Sequence, residues 1–212
     1  MDYNNLKAYA QKQEKIMRDL REKFPTLPVI TLIVMAGDIA SRDIADRLVS
    51  EGMPPIRAAR YIGSYARLDW LVEQYEKGNL PDDWLLNEFP SEWSSCDPDD
   101  TDPKFLKIWE KAWMENHCKT VYSDAGFPLN IAQVDTVTVY RGQTHFDEPL
   151  GIAWTTDREI AVKFAKGAGL RVRVENPISP LQAKIKVADI YGYLTGRGES
   201  EVVLDPSKLI GA

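Results

Sequence analysis

The chain has 212 residues, 44% of them hydrophobic and 27% charged, with a formal net charge of −6. That balance describes a globular protein of one ordinary domain or two small ones and excludes an intrinsically disordered chain. Two cysteines, Cys96 and Cys118, and two histidines, His117 and His145, are too few for a disulfide framework or a zinc centre. Residues 131–212 carry 10 basic and 10 acidic side chains, so the front of the chain holds the whole acidic excess. Such a front argues against broad binding to a phosphate backbone.

The first residues, Met1-Asp2-Tyr3, lack the basic and apolar regions of a secretory signal. The longest apolar run, Val29 to Ala36, is far short of a membrane span. A cytoplasmic location with no membrane partner is the expectation. Leu6 to Phe24 predicts an amphipathic helix with Leu6, Tyr9, Ile16, Leu20 and Phe24 near one face, ended by Pro25. Val29 to Ala36 is compatible with a buried strand or a helix segment. Ser41 is expected to cap a helix carrying Ile44, Ala45 and Leu48, stopped by Gly52. Pro54-Pro55 then opens a longer predicted helix through Ile56, Ala59, Ala66 and Trp70 toward Lys77, closed by Gly78-Asn79. The pair around Gly52 has the outline of a helix-turn-helix, with Arg57, Arg60 and Arg67 on its second helix. The Tyr and Trp residues of that helix suit a core better than a DNA groove.

Asp97-Pro98-Asp99-Asp100-Thr101-Asp102 does not match a calcium loop: Asp102 stands where glycine is needed and Ile108 where glutamate is needed. Asp102 reads instead as the N-cap of a helix with Pro103 at its first position. Phe105, Ile108, Trp109, Ala112 and Trp113 form its core stripe. Val121 to Asn130 reads as a turn-rich linker. Short β runs follow at Asp135–Tyr140, Gly151–Thr155, Leu170–Glu175, Gln182–Val187 and Glu201–Leu204, with a helix at Asp157–Lys166 between the second and third. Asn176-Pro177 and Ser179-Pro180 suggest a hairpin between the third and fourth.

Three pieces of this second half place polar groups in or beside β-patterned runs. Arg141 follows Val137-Thr138-Val139-Tyr140 and precedes Gly142, where the backbone can turn or a ligand can approach. Its guanidinium is a permanently charged fork suited to phosphate oxygens. Ala153-Trp154-Thr155-Thr156-Asp157 ends a strand on two hydroxyls. Gly198-Glu199-Ser200-Glu201-Val202-Val203-Leu204 places a charge at the head of an apolar strand. Strand periodicity expects Glu199 and Glu201 on one side, with Ser200 opposite. Neither a P-loop nor a dinucleotide glycine fingerprint is present.

Tyr140-Arg141-Gly142, Trp154-Thr155-Thr156-Asp157-Arg158-Glu159 and Arg197-Gly198-Glu199-Ser200-Glu201, in that order, resemble the R-S-E class of ADP-ribosyltransferases. This is the cholera-toxin and clostridial binary-toxin branch, with small bacterial and phage members, and the likeness covers about residues 134 to 212. The resemblance implies an α+β chain: a helical N-terminal region over residues 1–130, and a mixed β-sandwich core that binds NAD over residues 131–212. It implies transfer of ADP-ribose from NAD, used as a substrate and without a metal, to a macromolecular acceptor. Protein arginine is favoured, with an RNA or DNA base as the alternative.

Within that resemblance, Arg141 would hold the NAD phosphates and ribose, and the Gly142 backbone would meet the nicotinamide amide. Thr155 would stand at the family's first serine and Thr156 would support the strand. Phe164 would lie against nicotinamide. Glu201 would be the catalytic glutamate and Glu199 would orient or deprotonate the acceptor. Ala188 to Gly198, with Tyr191, Tyr193 and Arg197, would be the acceptor loop. A toxin or defence effector, countered by an antitoxin or inhibitor protein, is the implied role. The rivals are a helix-turn-helix-like nucleic-acid-binding regulator and a glycohydrolase that only cleaves NAD.

Overall fold

A computed structural model of the chain describes residues 3–25, 29–122, 128, 131, 133–144, 149–168, 174–175 and 177–211. The chain is α+β and divides into two compact units, Met1–Asp82 and Asp83–Ala212. The change of texture at residue 131 marks where the longer strands begin. The compact unit around them starts earlier, at Asp83, and takes in three helices. No described helix is long and apolar enough to cross a membrane.

The first unit is helical. Helix α1 spans Tyr3–Lys23 and α2 spans Val29–Ser50. The ambiguous Val29–Ala36 run is thus the first part of one continuous helix. Ser41 is an interior residue of that helix, not its cap: its hydroxyl donates to the Asp38 carbonyl at 2.8 Å. Gly52, at φ +95°, takes the left-handed turn that ends α2. The helix expected from Pro54 to Lys77 is interrupted. It comprises α3 (Pro55–Ala58), a 3₁₀ turn (Ala59–Tyr61) and α4 (Ser64–Glu76). The break falls where Ile62 is extended and buries its side chain, and Gly63 then starts α4. Arg42 joins α2 to α4 through Glu73 at 2.8 Å, and the Trp70 indole donates to Asp46 at 2.8 Å. Small residues of α2, Ala36, Ala40 and Ala45, are fully buried beside Leu68, Trp70 and Leu71 in this unit's core.

The second unit starts with α5 (Trp84–Asn87), α6 (Phe89–Ser95) and α7 (Pro103–Glu115). Asp102 caps α7 as expected, accepting the Lys104 N–H at 2.9 Å, with Pro103 in the first turn. Phe89, Trp93, Phe105 and Trp109 pack tilted or edge-on, with ring centroids 4.9 to 6.3 Å apart. The strands are β1 (Val121–Tyr122), β2 (Thr136–Arg141), β3 (Ala153–Thr155), β4 (Leu181–Lys186), β5 (Ile190–Leu194) and β6 (Glu201–Leu204). They form one six-stranded mixed sheet in the order β1-β5-β6-β3-β2-β4, in which only β1 and β5 run parallel. Helix α8 (Arg158–Ala165) follows β3 and is capped by Asp157, which accepts the Glu159 N–H at 2.7 Å. The Leu170–Glu175 strand and the hairpin at Asn176 fall largely outside the described residues.

Two strands depart from the sequence expectation. Val121–Tyr122, assigned to a linker, pairs with Gly192 and Tyr193 at the sheet edge. Ile190–Leu194, assigned to a loop, is a strand buried at every position. A strand covered on both faces shows no alternation for a sequence pattern to detect. A register shift between Ile190 and Gly192 turns Tyr191 and Gly192 toward α7, while Ile190 and Tyr193 join the sheet core. Gly192 lies so close to α7 that a Cβ there would sit 2.6 Å from the Trp109 ring. Gly192→Ala is expected to destabilise the unit by about 1–3 kcal/mol through overpacking. Urea denaturation checks this, and an unchanged midpoint would contradict the close packing.

Candidate active site

The alternating Thr136–Arg141 run forms β2, and its last residues lie beside the end of β3. Tyr140 pairs with Thr155, and Thr155 pairs with Glu201 at the start of β6. The three sequence pieces, separated by tens of residues in the chain, therefore meet in one row across adjacent strands. Arg141 is one residue beyond that row.

Arg141 is mostly buried and already engaged. Its guanidinium donates to both carboxylate oxygens of Asp100, at 2.6 and 3.1 Å, and to the Ala153 carbonyl at 2.6 Å. Asp100 also accepts the Ala153 N–H at 3.0 Å, and its own carbonyl accepts from Ile152 at 3.0 Å. The carboxylate lies so close over Gly151 that a side chain there would collide with it. One of the three guanidinium nitrogens is left over: Arg141 Nε is buried and has no hydrogen-bond partner among the described residues. Gly142 is needed for packing. A Cβ on it would run into the Ala161 carbonyl, and would lie 2.7 Å from the Cβ of Phe164 on α8. The part-buried Phe164 thus lies next to Gly142.

Thr155 holds the strand ends together. Its hydroxyl donates to the Glu199 carbonyl at 2.6 Å and accepts the Asp157 N–H at 3.0 Å. The Thr156 N–H donates to the Ser200 carbonyl at 3.1 Å. These bonds fix the approach to β6, whose regular pairing starts only at Glu201. Ser200 has φ +46° and Gly198 φ +66°, so extended alternation does not reach back to Glu199. The shared side expected from strand periodicity is therefore not what brings the two carboxylates together. They are neighbours through a turn.

The Glu201 carboxylate accepts the Trp93 indole N–H at 2.7 Å. The residue as a whole is only part-buried, yet its carboxyl loses most of its hydration. That loss pushes its pKa up to about 7. The Trp93 bond opposes the shift, Glu199 and Asp100 add to it, and Arg197 opposes it weakly. Burial likewise raises Glu199, with Arg197 opposing and Asp97 adding.

Arg197 donates to the Cys96 carbonyl at 2.6 Å and to Asp97 at 3.2 Å. Tyr191 and Tyr193, expected in an acceptor loop, are buried in β5 instead. Tyr191 stacks on Trp113 and meets Lys208 at 3.2 Å, while Tyr193 belongs to the sheet core. The loop proper is confined to residues 195–200, and of the three named residues only Arg197 belongs to it.

Sequence reasoning missed Trp93, Asp97 and Asp100. Nothing local marks them, because their partners lie 108, 100 and 41 positions away. Among the described residues no group of three or more His, Cys, Asp and Glu side chains is arranged to hold a metal ion. No family model, no curated protein and no solved structure matches the chain.

The buried carboxyl has a consequence for stability. An unfolded glutamate titrates near 4.5 and Glu201 in the fold near 7, so the folded state holds the proton more tightly. Its contribution to stability is present below 4.5 and is lost as pH rises through 7. Glu201→Gln removes the ionisation, so the variant is expected to be about 1–3 kcal/mol more stable than wild type at pH 8. The gain should shrink toward pH 5. Denaturant unfolding at both values tests this, and a pH-independent difference would rule out a buried, titrating Glu201.

Proposed function

We propose that this protein is a mono-ADP-ribosyltransferase that uses NAD to modify a macromolecule, with protein arginine as the favoured acceptor. The observation that carries the reading is the row Tyr140, Thr155 and Glu201 across three adjacent strands, with Arg141 at its end. It joins the three pieces on which the resemblance rests. The proposed core is the ADP-ribosyltransferase type, carried by the six-stranded sheet.

In the proposed reaction the bond between the nicotinamide nitrogen and ribose C1′ breaks. Its electron pair stays on nitrogen, so nicotinamide leaves neutral and no general acid is required. The ribose becomes oxocarbenium-like, and the Glu201 carboxylate stabilises that charge, as a glycosidase carboxylate does. A lone pair of the acceptor nitrogen forms the new bond to C1′. The proton it sheds goes to Glu199, whose burial makes it a stronger base than an exposed glutamate. Arg141 is the group for the NAD phosphates, with its unsatisfied Nε as the first available donor. Full use of the fork requires Asp100 to give up part of it.

The test is incubation with labelled NAD and a cell extract, followed separately by protease and nuclease digestion. Label on protein is expected. Label on nucleic acid would move the acceptor to a base, and nicotinamide release with no label would make the protein a glycohydrolase. Glu201→Gln should lose about 10²- to 10⁴-fold in nicotinamide release, the range for removing an electrostatic group aimed at the transition state. Full activity in that variant would refute the role given to Glu201.

Glu199→Gln should separate two activities. Transfer to arginine needs a carboxylate to orient and deprotonate the guanidinium, whereas water needs less help to trap the cation. Acceptor labelling should therefore fall while slow NAD hydrolysis persists. Equal loss of both would assign Glu199 to supporting Glu201.

A further inference from the structure

The indole N–H of Trp93 ends on a carboxylate, in surroundings that make it an unusually rigid donor. The ring is buried on α6, edge-on to Phe105 at 5.4 Å and to Trp109 at 5.6 Å. Indole donates and never accepts, so this contact favours the ionised carboxylate over the protonated acid, whose carbonyl oxygen is the weaker acceptor. At 2.7 Å it has the length of a charge-assisted bond. The chain that continues from α6 makes the other outside contacts of the site. The Cys96 carbonyl and Asp97 hold Arg197, and Asp100 holds Arg141. Residues 93–100 thus reach Glu201, Arg197 and Arg141.

We propose that Trp93 is a positioning residue of this site, whose indole N–H fixes the orientation of the Glu201 carboxylate so that its free oxygen faces the reacting ribose. The proposal rests on the ADP-ribosyltransferase reading and adds α6 to its machinery. The groups that face Glu201 are Trp93 from α6, Asp100 from the loop before α7, and Glu199 and Arg197 from the turn before β6; Thr155 is its partner in register on β3. Among the donors, Trp93 is the one in direct hydrogen bond with the carboxylate.

Trp93→Phe keeps an aromatic ring in the cluster and deletes the N–H together with one of the two fused rings. Nicotinamide release at pH 7 should fall about 10-fold, in line with losing a hydrogen bond to a charged group. KM for NAD should stay within about two-fold, since the contact is not with NAD. The acid limb of the pH profile should move up by about one unit, so that activity partly recovers at pH 8.5. A merely structural role would lower activity equally at every pH, and an unshifted acid limb would overturn the proposal.

The second measurement does not require activity or a folded variant at position 93. In wild type the Trp93 indole N–H resonance should shift with pH as Glu201 titrates, and it should be flat in Glu201→Gln. A resonance flat in both proteins would overturn the inference. A wild-type protein that releases no nicotinamide, yet shows the titrating resonance, would refute the enzymatic reading while leaving the Trp93–Glu201 pair established.

Discussion

The guanidinium of Arg141 and the carboxylate of Asp100 meet at two oxygens, with both side chains largely removed from water. Withdrawing such groups from solvent is costly, and the cost is recovered only where each remaining donor and acceptor finds a partner. Here the pair supplies them: Arg141 serves the Ala153 carbonyl, Asp100 takes the Ala153 N–H, and Ile152 bonds to the Asp100 backbone. The segment before β3 is therefore bound to the acidic loop by side chains and backbone together. Gly151 permits this, because any side chain would occupy the space of the carboxylate. Loss of either partner would strand a charge in the other, which is why the pair governs how β2, β3 and the loop before α7 sit.

A second constraint sits two strands across, on β6. Glu201 heads β6 at a position where its neighbours Val202, Val203 and Leu204 are completely buried. A stabilising sequence would place an apolar residue or a fully hydrated charge there. The fold instead retains a carboxyl withdrawn from water and next to two other acids, and its pKa rises accordingly, against the pull of the Trp93 indole. Groups pushed out of their ordinary titration range by burial and like charge tend to cluster at functional sites. Structural networks also perturb them. What sets this one apart is that the perturbed group lies in the same row as Thr155 and Tyr140, the residue before Arg141.

Close backbone approaches complete the arrangement. Gly142 lets α8 lie against the end of β2, and Gly192 lets the Trp109 ring lie against β5. In both cases glycine is used for the missing Cβ, since neither residue has a positive φ. The tyrosines of β5 are consumed by the same packing. Tyr191 is held by Trp113 and Lys208 on one side of the bulge, and Tyr193 fills the sheet core on the other. Residues that read as a ligand-facing loop thus belong to the framework that presents the loop.

Local chemistry was legible in the amino-acid order. The Asp102 cap, the Pro103 helix start, the Gly52 stop, the helix near Asp157 and, to within a residue, the strands at 136–141 and 201–204 all rest on bonds or periodicities spanning a few residues. So did the candidacy of Arg141 and Glu201, because a charge at the end of an apolar run is visible without a fold, whereas that of Thr155 rested on the resemblance. The fusion of Val29–Ser50 into one helix and the break at Ile62-Gly63 were not legible, the first because exposed apolar residues such as Val29, Ile33, Val34 and Ile39 blur its buried stripe; nor was the strand at 190–194, where burial at every position erases the alternation on which such readings depend. Nor was the employment of the acidic run. In sequence only Asp102, before Pro103, stands out from the other three aspartates; in the fold Asp97 faces Arg197, Asp99 turns onto Thr101, Asp100 grips Arg141 and Asp102 caps α7. Only the last two-residue contacts, at Thr101 and Lys104, are set by the chain itself. The others join positions 41 and 100 residues apart, and which charges meet over such separations is decided by how helices and sheet pack.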